Sequence, residues 1–102
     1  TKSEGQFSIS STFPGITRGD HFHTRKIERF IVIQGKALVE LRKIDSNKKF
    51  SIKLDGNNLN YIDIPIWYTH KITNTGDETL ITLFWINEPY NLDNSDTYFH
   101  KV

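Results

Sequence analysis

Apolar and polar positions alternate along this chain in short runs, with no stretch in which apolar residues recur at helical spacing behind a cap. Eight such runs stand out: Gln6 to Phe13, Thr17 to His23, Glu28 to Gln34, Lys36 to Lys43, Lys49 to Leu54, Asn60 to Ile64, Tyr68 to Asn74 and Glu78 to Ile86. The breaks between them hold Pro14-Gly15, Gly35, the polar stretch 45–48, Asp55-Gly56-Asn57-Asn58, Pro65 and Gly76-Asp77, all residues that tolerate turn dihedrals. A period of two bounded by turn residues predicts strands, and eight short antiparallel strands close into a barrel or a double-sheet jelly roll. The expected fold is all-β, with the tail from Asn87 to Val102 as a closing segment.

Composition points the same way. Thirteen Ile, ten Thr and three Val stand against one alanine, Ala37, and β-branched side chains suit a pleated surface better than a helix. Hydrophobic residues are 36% of the chain, and two Trp, four Tyr and seven Phe supply much buried area per residue, enough for one core in 102 residues. The chain is therefore read as a single domain, 1–102. Because it begins at Thr1 without methionine, it is read as an excised or processed piece of a larger protein. A net charge of +1 gives no electrostatic case for nucleic acid or an anionic membrane. The longest apolar runs fall far short of the roughly 20 residues that span a bilayer. With no cysteine, disulfides, thiolate zinc sites and cysteine nucleophiles are excluded, so any metal must use His and carboxylate.

The chemistry-bearing stretch is Gly15 to Gly35. His21 and His23, two apart on a strand, project into one space, and Glu28 lies where the chain can return beside them on the next strand. Two imidazoles and a carboxylate suit zinc, iron, nickel or manganese with a position left open for water or substrate. Alone, His-x-His reads as two polar strand residues; Glu28 and a third imidazole, His70 on the seventh run, reverse that reading. Tyr68 shares a strand face with His70 by period two and is a candidate proton donor or acceptor. Arg18, three residues before His21, has odd parity to it, which a strand bulge would correct; with Lys26 it is a candidate for binding an anionic substrate.

Gly15-x5-His21-x-His23-x4-Glu28-x6-Gly35 matches the first cupin motif at each position. The second motif is looser: Pro65, His70 and Asn74 are in place, but Leu59 and Trp67 stand where glycines are expected. The resemblance implies a small cupin-type jelly-roll barrel of about eight strands, with His21, His23, Glu28 and His70 as ligands of a divalent metal. A narrower resemblance runs through Gly5-Gln6-Phe7, residues 14–19, Lys26-x-Glu28-Arg29-Phe30, residues 68–74, Trp85-Ile86-Asn87-Glu88 and Asp96-Thr97-Tyr98. It is similar to the C-terminal cupin of the capsular-polysaccharide-assembling protein family, with Thr24 where that family tends to carry a further histidine. What this implies is a zinc-dependent epimerase acting at C3 of a UDP-linked 4-keto-6-deoxy sugar, fused or partnered to an N-terminal nucleotide-sugar reductase domain, in the cytoplasm. No Gly-x-Gly-x-x-Gly is present for nicotinamide binding.

The same ligand set also serves metal cupin dioxygenases and isomerases of other small molecules, and a non-catalytic sugar-binding cupin is a third reading. A homodimer is expected, since Ile31 to Ile33 and Ile62 to Ile66 would leave apolar surface to cover on so small a barrel.

Overall fold

The alternation is realised almost residue for residue in the computed structural model, which describes residues 5–87 and 96–102. Nine strands follow in chain order: β1 Gln6–Thr12, β2 Thr17–Phe22, β3 Glu28–Gln34, β4 Lys36–Lys43, β5 Lys49–Asp55, β6 Tyr61–Ile64, β7 Tyr68–Asn74, β8 Leu80–Ile86 and β9 Tyr98–Phe99. There is no helix among the described residues, and none long and apolar enough to cross a membrane. Expected residues 88–95 of the closing segment lie outside the described residues.

The strands form two antiparallel sheets, ordered β1-β8-β3-β6 and β5-β4-β7-β2-β9. Pairing β1 with β8, β2 with β7, β3 with β6 and β4 with β5 nests the chain inward from both ends, the wiring of a jelly roll. Gly35 alone separates β3 from β4 and carries the chain from one sheet to the other with a φ of 93°. β8 starts at Leu80 rather than at Glu78 because side chains take the carbonyls before it. Asn74 Nδ2 donates to Glu78 O at 2.8 Å and Gln34 Nε2 to Thr79 O at 3.0 Å.

The core lies between the sheets. Phe30, Val32, Ile62, Ile64 and Leu80 come from one sheet, Ala37, Val39, Leu41, Leu54 and Ile72 from the other. Each large aliphatic chain buried there contributes about 1.5–3 kcal/mol relative to exposure. Ile62 and Ile64, expected to supply dimer surface, belong to this core; Ile33 and Ile66 remain exposed. Toward the His21 end the inward positions turn from aliphatic to polar, and that change locates the site.

Candidate functional site

His21 lies near the end of β2 and pairs across the ladder with His70 of β7. His23 follows β2 directly, and Glu28 opens β3 in the facing sheet. The three rings form a triangle, with centroids 5.3 Å apart for His21 and His70, 5.7 Å for His23 and His70, and 6.1 Å for His21 and His23. One nitrogen from each lies within 4.8 Å of the others. Glu28 Oε1 hydrogen-bonds His23 Nε2 and stands 3.3 Å from His70 Nε2. The structure thus brings the three predicted imidazoles within reach of one ion, while Glu28 stands against His23 and His70 and outside the group of mutually close donor atoms.

A bulge makes this possible. The β2–β7 register slips between Gly19 and His21, leaving Asp20 without a β7 partner, with a φ of 60°. Arg18 pairs with Ile72 and His21 with His70, so the bulge puts Arg18 and His21 on one face despite their odd spacing. Gly19 packs so tightly on β7 that a Cβ would come 2.6 Å from His70 O and 2.7 Å from Lys71 Cα. Trp67 holds a φ of 65°, the left-handed turn for which the motif's glycine is expected; its N–H donates to His23 O at 2.7 Å and its carbonyl accepts from Ile44 N.

Electrostatics suit a cation. Burial pushes the Glu28 carboxyl up, but hydrogen bonds from His23 and His70 overcome this and hold it down at about 2, so Glu28 is ionised. His21 is shifted down, mainly by burial and then by the neighbouring His70, toward the neutral form that ligates metals. His23 is shifted up: burial opposes its charge, but Glu28 and the Asp96 carbonyl outweigh that. Among the described residues His21 Nδ1 is buried without a hydrogen-bond partner. An orphaned nitrogen beside two more imidazoles and an ionised carboxylate is a donor set that fits a divalent metal at ligand distances of about 2.0–2.2 Å.

These groups line a cavity of about 380 Å³ whose other walls include Arg18, Lys26, Ser8, Phe30, Phe84 and Ile86. Arg18 Nη1 donates to Ser10 Oγ, and Lys26 is only 2% exposed. Tyr68 is on the expected face of β7 but is not a lining residue; its ring packs on the hydrophobic core.

Sequence reasoning missed Asp96. Its buried carboxylate takes the backbone N–H groups of Thr24, Arg25 and Lys26, at 3.0, 2.7 and 3.0 Å, and its carbonyl takes His23 Nδ1 at 2.7 Å. Burial pushes this carboxyl up, yet the Thr24 hydroxyl and the three amides pull it down to about 2. In the sequence its only mark is its place at the head of Asp96-Thr97-Tyr98, a stretch of family resemblance that carries no role for the carboxylate.

The model of the polysaccharide biosynthesis C-terminal domain matches residues 1–98. A UDP-2-acetamido-2,6-beta-L-arabino-hexul-4-ose reductase from Pseudomonas aeruginosa is 37% identical over 102 residues, covering all of this chain and 27% of that protein. The capsular polysaccharide assembling protein CapF from Staphylococcus aureus superposes with a TM-score of 0.96 at 38% identity, over 100% of this chain and 30% of that one. A dTDP-4-dehydrorhamnose 3,5-epimerase from Bacillus anthracis shares the fold, with a TM-score of 0.79 at 19% identity over 92% of this chain and 57% of its own. The chain spans less than a third of the length of the two closer of these relatives.

Proposed function

The chain belongs to the polysaccharide biosynthesis C-terminal domain family, and from that premise we propose that it epimerises a UDP-linked 4-keto-6-deoxy amino sugar at C3 with a divalent metal, zinc. The observation that carries the reading is the convergence of His21, His23, His70 and an ionised Glu28 in a cavity that also holds Arg18 and Lys26. Support also comes from the reductase name of the Pseudomonas relative, which fits a companion reductase domain in the part of those proteins that this chain does not span. A UDP-linked substrate fits a cytoplasmic location.

His21, His23, Glu28 and His70 would hold the ion, which supplies a Lewis acid for the negative charge that gathers on the C4 oxygen when the C3 proton leaves. Arg18, oriented by Ser10, offers its guanidinium to the diphosphate, where a planar fork of donors suits paired oxygens. Lys26 brings a second cation to the same cavity. Phe30, Phe84, Ile72 and Ile86 exclude water from the sugar face and so strengthen these interactions. Inversion at C3 requires a proton to leave one face and return to the other. Tyr68 takes part if bound substrate draws its phenol out to the cavity, and Tyr68→Phe tests that role.

The deciding experiment follows solvent deuterium into C3 of a UDP-4-keto-6-deoxy-HexNAc with metal-loaded protein in D2O. Incorporation lost in His70→Ala supports the epimerase. Tight sugar binding without exchange overturns it in favour of a non-catalytic sugar-binding module, and oxygen uptake moves the weight to a dioxygenase.

A homodimer belongs to the same proposal. Phe7 and Ile9, 64% and 69% exposed on edge strand β1, share the outer sheet face with Leu83 and Trp85 of β8 and Ile31 of β3. A continuous apolar face of this kind calls for a partner. Light scattering should give twice the chain mass, and Ile9→Lys the single mass; a monomer at micromolar concentration removes the proposal.

A further inference from the structure

We propose that Asp96 is a positioning residue for the metal centre, fixing His23 and the turn that joins it to Glu28. The inference rests on the reading of the histidines as ligands. Residues 24–26 leave β2 with three consecutive backbone N–H groups turned inward, and buried donors of this kind need acceptors. The Asp96 carboxylate serves all three and the Thr24 hydroxyl as well. Its side chain is fully buried, so water does not substitute for it. The clamped turn begins beside His23, carries Lys26 and ends just before Glu28.

The carbonyl of Asp96 acts on the ring itself. It can only accept, so His23 Nδ1 carries a proton and Nε2 is the nitrogen turned toward Glu28 and the cavity. A φ of 54° lets this one residue aim carboxylate and carbonyl at two neighbouring parts of the chain. β9 pairs with β2 immediately beyond it, His21 opposite Phe99, so the closing segment is seated on the strand that carries His21. Among the described residues His21 Nδ1 has no partner and His70 Nδ1 meets the Tyr68 carbonyl only at 3.5 Å, so the close carbonyl contact at 2.7 Å sets His23 apart. Partners of this kind, standing behind a ligand, commonly alter metal affinity by about 10–100-fold.

The test compares the wild type with Asp96→Ala, Asp96→Asn and Val39→Ala, the last a core truncation away from the cavity lining. Zinc affinity is read by chelator competition, and the His23 Nδ1 proton by NMR in the metal-free protein. Asp96→Ala should weaken zinc by about 10–100-fold and expose the Nδ1 proton to rapid solvent exchange. Asp96→Asn, which keeps the shape and one acceptor, should lie between and serves if the alanine variant does not fold. Val39→Ala should lower stability while leaving zinc affinity and the proton unchanged. Unchanged affinity with a protected proton in folded Asp96 variants overturns the proposal, as does an equal loss in Val39→Ala. If the wild type takes no zinc, the metal reading fails, and the proton alone decides: protected in the wild type and exposed in Asp96→Ala supports the positioning role, unprotected in the wild type overturns it.

Discussion

The β4–β5 ladder and the β2–β7 ladder belong to the same sheet but are built differently. β4 and β5 keep an unbroken register from Lys36↔Asp55 to Arg42↔Lys49. β2 and β7 slip at Asp20, and the non-glycine residues with positive φ among those described, Asp20, Trp67 and Asp96, all gather at this end. Asp20 precedes His21, the Trp67 N–H meets the His23 carbonyl, and the Asp96 carbonyl meets the His23 ring. Left-handed backbone costs of order 1–3 kcal/mol per residue and persists only where its surroundings over-determine it. The regular ladder supplies stability, and the irregular one uses some of it to aim side chains.

The largest break in this comparison comes from Gly19. Gly19→Ala places a methyl against His70 O and Lys71 Cα at a φ of 129°, so overpacking adds to backbone strain. We expect a loss of about 3 kcal/mol or more, a fall in Tm of roughly 12 °C or beyond, and loss of metal binding as β2 is pushed off β7. Calorimetry and metal analysis check this, and a stable, metal-loaded variant would show that the bulge is dispensable.

Asp96 gives the next effect, and its sign follows from its depressed folded value of about 2 against an ordinary 3.8. Its contribution is complete above the unfolded value and is lost as pH falls from about 4 to about 2, amounting to about 2 kcal/mol. Asp96→Asn should therefore be about 2 kcal/mol less stable at neutral pH, the gap closing on acidification through that window. Glu28 titrates in the same range, so the difference between the two proteins, followed by urea unfolding, isolates Asp96. A gap independent of pH sinks this account.

The regular part of the molecule was legible in the sequence because alternation and turn residues are local signals. Seven of the eight expected strands begin at or within one residue of their observed starts, and the eighth, β8, begins two later. His21, His23, Glu28 and His70 were legible as a spacing pattern. Tyr68 shows the limit of periodicity: two residues along a strand are about 6.6 Å, so the face of His70 continues from the cavity into the core. Alternation does not say which face is covered, so it does not distinguish Ile62 and Ile64, which are core, from surface residues. Asp96 acts on a ring 73 positions away, and β9 has too few residues to alternate, so neither left a local pattern.

Trp67 sharpens the comparison by about 1 kcal/mol. Its ring stacks on Phe22 with centroids 5.8 Å apart, while its backbone pays the left-handed penalty. Trp67→Ala loses the ring and keeps the penalty, whereas Trp67→Gly loses both. The glycine variant should be the more stable of the two by about 1 kcal/mol in chemical denaturation. Equal stabilities would mean that the turn relaxes without the ring.

The smallest effect belongs to the regular side. Glu40 and Lys71 face each other across β4 and β7, with Oε1 and Nζ 3.9 Å apart and both side chains about a quarter exposed. Such a pair is worth roughly 0.2–1 kcal/mol, because water weakens the attraction and two long side chains lose freedom. Glu40→Gln should cost less than about 1 kcal/mol, the loss should shrink toward zero in molar salt, where the Debye length is about 3 Å, and zinc affinity should not change. Lys71 is also the residue opposite Gly19, so this variant touches the strand that the bulge rests on without altering its backbone. A change in zinc affinity here would mean that the two ladders are coupled through Lys71, and that the irregular end draws on its charge as well as on its main chain.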